Sequence, residues 1–355
     1  MNKFLPLSIF IYLILFTSCS NKEYEINIVC TKNETGDYII KWETFPQIPG
    51  NVKIYRSDNP EDFSGQPIEI ELPVQDGIAI LKKDNSPLSY FKLVFEKNSQ
   101  AITSCRAIET ESIINLRGLG GYFNQFNKQV KWGKLYRSGS LSSASQSDIN
   151  LLKALNIKTA IDLRTDKEIA LKPAPYFLTQ TFRLPLRGFD AELYAKKIID
   201  GEMKKGDAFI LQQDLYATLI DNNTDYFKRY FEILSDSSNY PVIFYCAFGK
   251  DRVGIMAALT LSALGIDEHQ VHDDYMLSNS HIDFNKIISK ADTLSSEKQE
   301  ALTTLLSSQR QTIEYTRKRI EKRYGSLENY FEKELKLTNE KREKLKDLLI
   351  YKNNN

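Results

Sequence analysis

Between Tyr24 and Ile108 apolar residues return at every second position in short runs. "YEINIVC", "YIIKWE", "NVKIYRS", "IEIELP", "GIAILKK" and "SYFKLVFEK" are rich in β-branched and aromatic residues and are separated by Gly, Pro, Asn and Asp. Period two over such lengths predicts half-buried strands joined by tight turns, and their spacing predicts a β-sandwich over 25–108. After Glu109 the pattern changes. Strand-like "KLYRSGSL", "KTAIDLR", "TQTFRLPL" and "YPVIFYCA" alternate with helical stretches at 145–155, about 208–235 and about 252–264. Ser145 with Asp148 has the pattern of a helix N-cap, and Gly265 is placed to end the last of these helices. Strands alternating with helices predict an α/β domain with a mainly parallel sheet over 109–351, its segment from Asp283 to Tyr351 helical and charge-rich.

The N-terminus has a pattern of its own. "MNKFLPLSIFIYLILFTSCS" carries Lys3, an apolar run from Phe4 to Phe16, and then Thr17-Ser18-Cys19. The run is short for a membrane span and ends in small residues, as a secretory leader does. With the cysteine directly after them it resembles a bacterial lipoprotein signal. That resemblance implies removal of 1–18, lipidation of Cys19, a tether over 19–24, and an exported, membrane-anchored protein facing the periplasm or the cell surface. An ordinary leader cut near Cys19 and an uncleaved anchor are the alternatives. The all-β region, with Trp42 and Tyr55 at strand positions, resembles an immunoglobulin or fibronectin type III-like module. It presents no catalytic constellation, so its expected role is as a spacer or a protein-binding arm.

Charge narrows the remaining classes. The 355 residues carry 47 Lys and Arg against 46 Asp and Glu, a net +1, which offers nothing to attract nucleic acid. Anion recognition, if present, has to come from a local site. Four cysteines occur: Cys19, Cys30, Cys105 and Cys246. Cys30 and Cys105, near the two ends of the all-β region, either pair or remain buried thiols. Cys246 stands alone, as a reactive thiol would.

The chemistry concentrates at "FYCAFGKDRVG", residues 244–254. An apolar strand enters, a helix leaves, and Cys246 and Arg252 bracket Ala247, Phe248, Gly249, Lys250 and Asp251. Such a unit turns successive N–H groups inward and aims a helix N-terminus at the same point, forming a phosphate-sized anion site. Gly249 and Gly254 allow close backbone approach. The same field favours a thiolate, and Arg252 can hold two phosphoryl oxygens at once. The nucleotide-binding pattern G-x-x-x-x-G-K-[ST] is not met, and neither three histidines nor any C-x-x-C makes a metal site. No cofactor is called for.

This loop resembles that of the bacterial protein tyrosine phosphatases, the cysteine-dependent tyrosine/serine phosphatases with the loop H-C-x-x-G-K-D-R-T-G. Cys246, Gly249, Lys250, Asp251, Arg252 and Gly254 match it. "INLRGLGGY" (114–122), "GKLYRSGSL" (133–141), "TAIDLRTDKE" (159–168), "DDYMLSN" (273–279) and "YGSLENYF" (324–331) also resemble segments of that group, in order. The resemblance implies a phosphatase-like domain with a central, mostly parallel sheet flanked by helices. It implies Cys246 as nucleophile, Arg252 as phosphate clamp, and loop residues Ala247, Phe248, Gly249, Lys250, Val253 and Gly254 around the phosphate. The general acid is Asp251 or, as the competitor, Asp162. Arg117 and Arg137 either border the pocket or hold the domain together by ion pairs, while Asp274, Tyr275 and Asn279 are expected to be structural. Lys250, a second cation, is the feature that admits phosphoinositides beside phosphoproteins as substrates; otherwise it pairs with an acidic neighbour.

Three positions depart from the group's pattern. Tyr245 replaces the histidine before the cysteine, with a hydroxyl available for a backbone bond. Val253 replaces a hydroxyl residue that would donate to the cysteine sulfur. Gly118 stands where an aspartate is usual. The first two departures predict a slow enzyme in which a phosphocysteine accumulates, or, at the limit, a module that only binds phosphorylated ligands.

Overall fold

The computed structural model describes residues 24–96, 99–174, 180–187, 191–283 and 293–352. The leader, Cys19 and nearly all of the tether lie outside the described residues.

The period-two segment forms seven strands: β1 (Glu25–Lys32), β2 (Tyr38–Phe45), β3 (Asn51–Ser57), β4 (Ile68–Pro73), β5 (Ile78–Leu81), β6 (Tyr90–Phe95) and β7 (Gln100–Ser104). They pair antiparallel in two sheets, ordered β1-β2-β5 and β4-β3-β6-β7. Alternation decides which side chains go in. Ile26, Cys30, Ile40 and Trp42 of the first sheet meet Val52, Ile54, Phe91 and Leu93 of the second in one core. Trp42 settles its one polar atom there by donating Nε1–H to the carbonyl of Val74 at 2.8 Å.

A second core joins this region to the rest of the chain. Leu88 and Tyr90 pack with Ile113, Leu116, Trp132 and Tyr136. Trp132 Nε1 donates to the carbonyl of Ile102 at 2.9 Å, and the Arg106 guanidinium lies 4.0 Å from the Tyr122 ring centroid.

The following part holds a five-stranded sheet of β8 (Arg117–Gly118), β9 (Leu135–Ser138), β10 (Thr159–Asp162), β11 (Gln180–Arg183) and β12 (Val242–Tyr245), ordered β11-β10-β12-β9-β8. The first four are mutually parallel, and β8 runs antiparallel to β9. Every residue of β9, β10 and β12 is buried, as strands covered by helices on both faces must be. The register sets Asp162, Tyr245 and Ser138 side by side at the carboxyl edge, where ligands of open α/β sheets bind.

Among the helices are α1 (Gln146–Ala154), α2 (Asp166–Leu171), α3 (Ala191–Ile199), α4 (Lys205–Asn222), α5 (Thr224–Leu234), α6 (Asp251–Ala263) and α7 (Glu268–Met276). Ser145 and Asp148 form a reciprocal capping box at α1, as their spacing predicts. The helical stretch expected over about 208–235 consists of two helices, α4 and α5. Asn223 interrupts it by turning its side chain onto the backbone: Nδ2 donates to the carbonyls of Leu219 and Arg187, and Oδ1 accepts from the Arg187 N–H. Helix α6 is buried along nearly its whole length, so the helix whose first turn meets the Cys246 loop is held on all sides.

Candidate active site

Cys246 follows β12 directly and is 2% exposed, while Ala247 and Phe248 beside it are half-buried. Three consecutive carbonyls of the loop face its neighbours. That of Ala247 accepts from the Ser140 N–H at 3.0 Å, and that of Phe248 from Asn115 Nδ2 at 3.1 Å. That of Gly249 accepts from Asn115 Nδ2 at 2.9 Å and from Arg137 Nη2 at 2.8 Å. In a trans peptide the N–H points opposite to the preceding C=O. The amides of Phe248, Gly249 and Lys250 therefore point away from those partners, into the hollow of the loop. The amides of Asp251, Arg252 and Val253 continue them, because the first turn of a helix has no acceptors of its own. The first α6 bond runs from the Gly254 N–H to the carbonyl of Lys250.

The two glycines are obligatory for steric reasons. Gly249 has φ +68°, and a Cβ there would lie 2.4 Å from the Ser138 carbonyl carbon. A Cβ on Gly254 would meet the Tyr275 ring at 2.8 Å. Each lets the loop sit against β9 or α7 without displacing them.

Arg252 is 3% exposed and bidentate with Glu168, Nη1 donating to Oε2 at 2.6 Å and Nη2 to Oε1 at 2.7 Å. Burial works against its charge, but Glu168, the Cys246 sulfur and Asp251 together hold the guanidinium above its ordinary pKa. Glu168 is also the N3 residue of a capping box on α2: its Oε2 accepts from the Thr165 N–H and Oγ1, while Thr165 Oγ1 accepts from the Glu168 N–H. Burial raises the Glu168 carboxyl; Arg252 and Thr165 outweigh this and leave it below its ordinary pKa. Sequence reasoning assigned Glu168 no role. The signal available was T-x-x-E at 165–168, a capping box that fixes a carboxylate one turn past "IDLR".

The two candidate acids sit differently. Asp251 Oδ1 accepts from Tyr216 Oη at 2.7 Å and pairs with Lys250 Nζ at 2.9 Å, and Tyr216 Oη is 2.6 Å from Tyr275 Oη. Burial, with the Asp251 charge next in weight, pushes the Tyr216 hydroxyl far up, so it remains a donor. Both oxygens of Asp162 are engaged by Arg164, through Nε at 3.0 and 3.2 Å and Nη2 at 2.7 Å. Oδ1 takes the Arg164 N–H as well, and Oδ2 the Tyr245 hydroxyl at 2.9 Å.

Two expectations need correction. The Tyr245 hydroxyl donates to a carboxylate rather than to backbone. As the register partner of Asp162 on the adjacent parallel strand, it reaches that carboxylate. Lys250 is 1% exposed and directed into the protein, against Asp251 and the carbonyl of Leu305 at 3.3 Å, so it is not a second cation at the mouth. Val253 is fully buried in the apolar core. Arg117 and Arg137 are both 0% exposed and both pair with Asp274, which also accepts from Tyr122 Oη. Burial raises the Asp274 carboxyl, but Arg137, Arg117 and Arg106 outweigh it and hold the pKa down. Burial, then Arg137, lowers Arg117 to about 9. These arginines brace the back of the loop: Arg137 through Gly249, and Arg117 through Asn115, to whose side-chain oxygen it donates. Asn115, at φ +59°, and Tyr216, the donor to Asp251, likewise receive no role from the sequence motifs.

A hollow of converging amides, with a thiol at one end and a fixed guanidinium at the other, is equipment for holding and attacking a phosphoryl-sized anion. Residues 108–351 match the tyrosine phosphatase family, and the chain belongs to it; it is a phosphatase, a hydrolase. A Cupriavidus necator protein named as a tyrosine-protein phosphatase is 25% identical over 234 residues, covering 62% of this chain and 81% of its own. The triple specificity protein phosphatase PtpB of Mycobacterium tuberculosis is 25% identical over 173 residues, 42% of this chain and 62% of its own. The solved catalytic core of the PP-IP phosphatase SIW14 of S. cerevisiae covers 61% of this chain and 96% of its own at 12% identity, with a TM-score of 0.28.

Proposed function

We propose that the protein is an exported phosphatase that hydrolyses phosphate monoesters, phosphotyrosine first among them, through a phosphocysteine on Cys246. The observation that carries this reading is the outward-facing carbonyls of Ala247, Phe248 and Gly249, which turn the next amides inward between Cys246 and Arg252. The Cys246 thiolate attacks phosphorus, and the P–O bond to the leaving group breaks. The loop amides and Arg252 stabilise charge on the equatorial oxygens. Asp251 gives its proton to the departing oxygen. As a carboxylate it then takes a proton from the water that cleaves the P–S bond, releasing phosphate and regenerating the thiolate. Asp251 is favoured because it opens α6 beside the loop, with Tyr216 and Lys250 anchoring one of its oxygens. Asp162 is engaged on both oxygens by Arg164.

The phosphoinositide or inositol phosphate alternative rested on Lys250, which is buried against Asp251; phosphoprotein substrates are therefore preferred. The leader pattern supports lipid anchoring at Cys19, outside the cytoplasm. The three- and four-stranded sheets around Trp42 support a fibronectin III-like module serving as a spacer or a protein-binding arm.

The test is turnover of para-nitrophenyl phosphate by the parent, Cys246→Ser, Asp251→Asn and Asp162→Asn. Activity that vanishes in Cys246→Ser and falls at least tenfold more in Asp251→Asn than in Asp162→Asn is the expected result. Cys246-independent turnover overturns the phosphocysteine mechanism, and no turnover at all between about pH 5 and 8 overturns the enzyme reading and leaves a phosphoryl-binding module. Phosphotyrosine peptides against phosphoinositides then decide the substrate class.

A further inference from the structure

We propose that Cys30 and Cys105 form a disulfide in the mature protein, one that ties the first strand to the joint between the all-β region and the catalytic domain. The two sulfurs lie 3.2 Å apart in a buried setting, and the two residues are direct partners in an isolated parallel bridge. Neighbouring strands place paired Cα atoms about 5 Å apart, inside the roughly 4.4–6.8 Å that a disulfide needs. Only a small side-chain rotation therefore separates the contact from a bond. Cys30 and Cys105 are 6% and 5% exposed and lie in the core shared by the two antiparallel sheets. Their shared hydrogen bond is the leading influence on both thiols, so the two titrate as one pair.

What the bridge would hold gives it purpose. Cys105 is followed by Arg106, which donates to the carbonyls of Gly118 and Gly120 and lies over the rings of Tyr122 and Trp132. Beyond it, Ala107 bridges to Arg117, which helps brace the catalytic loop. The chain from Cys105 onward is thus anchored in the catalytic domain. Cys30 lies in β1, six residues into the first strand.

The oxidant is a disulfide-bearing compound or protein. As the chain folds and before the core closes, one of the two thiolates attacks it, forming a mixed disulfide and releasing one thiolate. The other thiolate then attacks the cysteine sulfur so engaged and releases the second. Two thiol protons and two electrons pass to the oxidant, which ends as two thiols. The exported placement enters only as the source of that oxidant; the geometry stands apart from it and from the phosphatase mechanism.

The full chain, refolded in a glutathione redox buffer, is alkylated under denaturing conditions and mapped by mass spectrometry without reduction. A peptide pair linked through Cys30 and Cys105, with Cys246 alkylated, is the expected result. Complete alkylation of Cys30 and Cys105, or a link from either to Cys246, overturns the proposal. As a second readout, reductant lowers the melting temperature of the parent by about 5–10 °C, as expected when a crosslink closing a long loop is opened. It leaves Cys30→Ser and Cys105→Ser unshifted. Para-nitrophenyl phosphate turnover at 25 °C by the two variants stays within twofold of the parent. Equal shifts in parent and variants also overturn it.

Discussion

Glu168→Gln tests whether Arg252 works because it is held. Glu168 accepts two charge-assisted bonds from the guanidinium, at 2.6 and 2.7 Å. Glutamine keeps one acceptor and turns an N–H toward the other guanidinium nitrogen. Two unit charges about 4 Å apart interact by about 4 kcal/mol at an effective dielectric near 20. The Glu168 side chain is 30% exposed, which reduces that ceiling. Loss of a hydrogen bond to a charged group, about 1.5–3 kcal/mol, points to the same range. A transition-state loss of about 2–3 kcal/mol corresponds to a fall of roughly 30- to 150-fold in kcat/KM. The substitution also weakens the α2 cap, at about 1 kcal/mol of stability, so the melting temperature is measured alongside. The carboxyl pKa is depressed in the folded protein relative to its ordinary 4.5. Its stabilisation is therefore complete above about 4.5 and is lost as pH falls through the lower folded value. The stability gap between parent and Glu168→Gln should accordingly close in acid. The assay is para-nitrophenyl phosphate hydrolysis with inhibition by inorganic phosphate. A Glu168→Gln enzyme within threefold of the parent, while Arg252→Lys is disabled, would refute the idea that Glu168 positions the guanidinium.

Other substitutions probe the remaining contacts. Tyr216→Phe removes the donor to Asp251; it should slow phenyl phosphate hydrolysis about tenfold, the equivalent of about 1.4 kcal/mol, and para-nitrophenyl phosphate distinctly less, because the better leaving group needs less protonation. Equal loss on both substrates would count against Asp251 as the acid that Tyr216 orients. Tyr245→Phe should cost about 1 kcal/mol in denaturant unfolding, the worth of its bond to Asp162, and change turnover less than twofold. Asp274→Asn leaves Arg117 and Arg137 buried with no counter-charge and should cost about 3–5 kcal/mol. Because the Asp274 pKa is depressed on folding, its stabilisation is present at neutral pH and lost as acid protonates it, so the difference between parent and variant narrows there. Val253→Thr introduces a hydroxyl where the core is apolar and should lower stability by about 1 kcal/mol. It should also shrink the pre-steady-state burst by hastening phosphocysteine breakdown; an unchanged burst would mean that the valine does not limit that step.

Much of this organisation is legible residue by residue. Alternating positions mark six of the seven strands of the all-β region, β7 excepted; apolar "PVIFY" marks a buried strand, and the spacing from Cys246 to Arg252 marks a loop leading into a helix. Ser145 with Asp148 announced a cap. These features act within a few residues of one another, through backbone geometry and side-chain periodicity, so sequence alone determines them. Pairings across the fold are a different matter. Arg252 and Glu168 are 84 residues apart, Tyr245 and Asp162 are 83, and Cys30 and Cys105 are 75. "IDLR" offers a carboxylate and an arginine two residues apart, and their ion pair is a reading the sequence allows, yet nothing local says that Glu168 reaches Arg252. Lys250 reads either as a second cation at the loop or as the partner of an acidic neighbour, until its contacts with Asp251 and the carbonyl of Leu305 decide for the second. The register of β10 beside β12 and the burial of α6 settle these choices, because a charge removed from water has to take whichever partner the packing brings within reach.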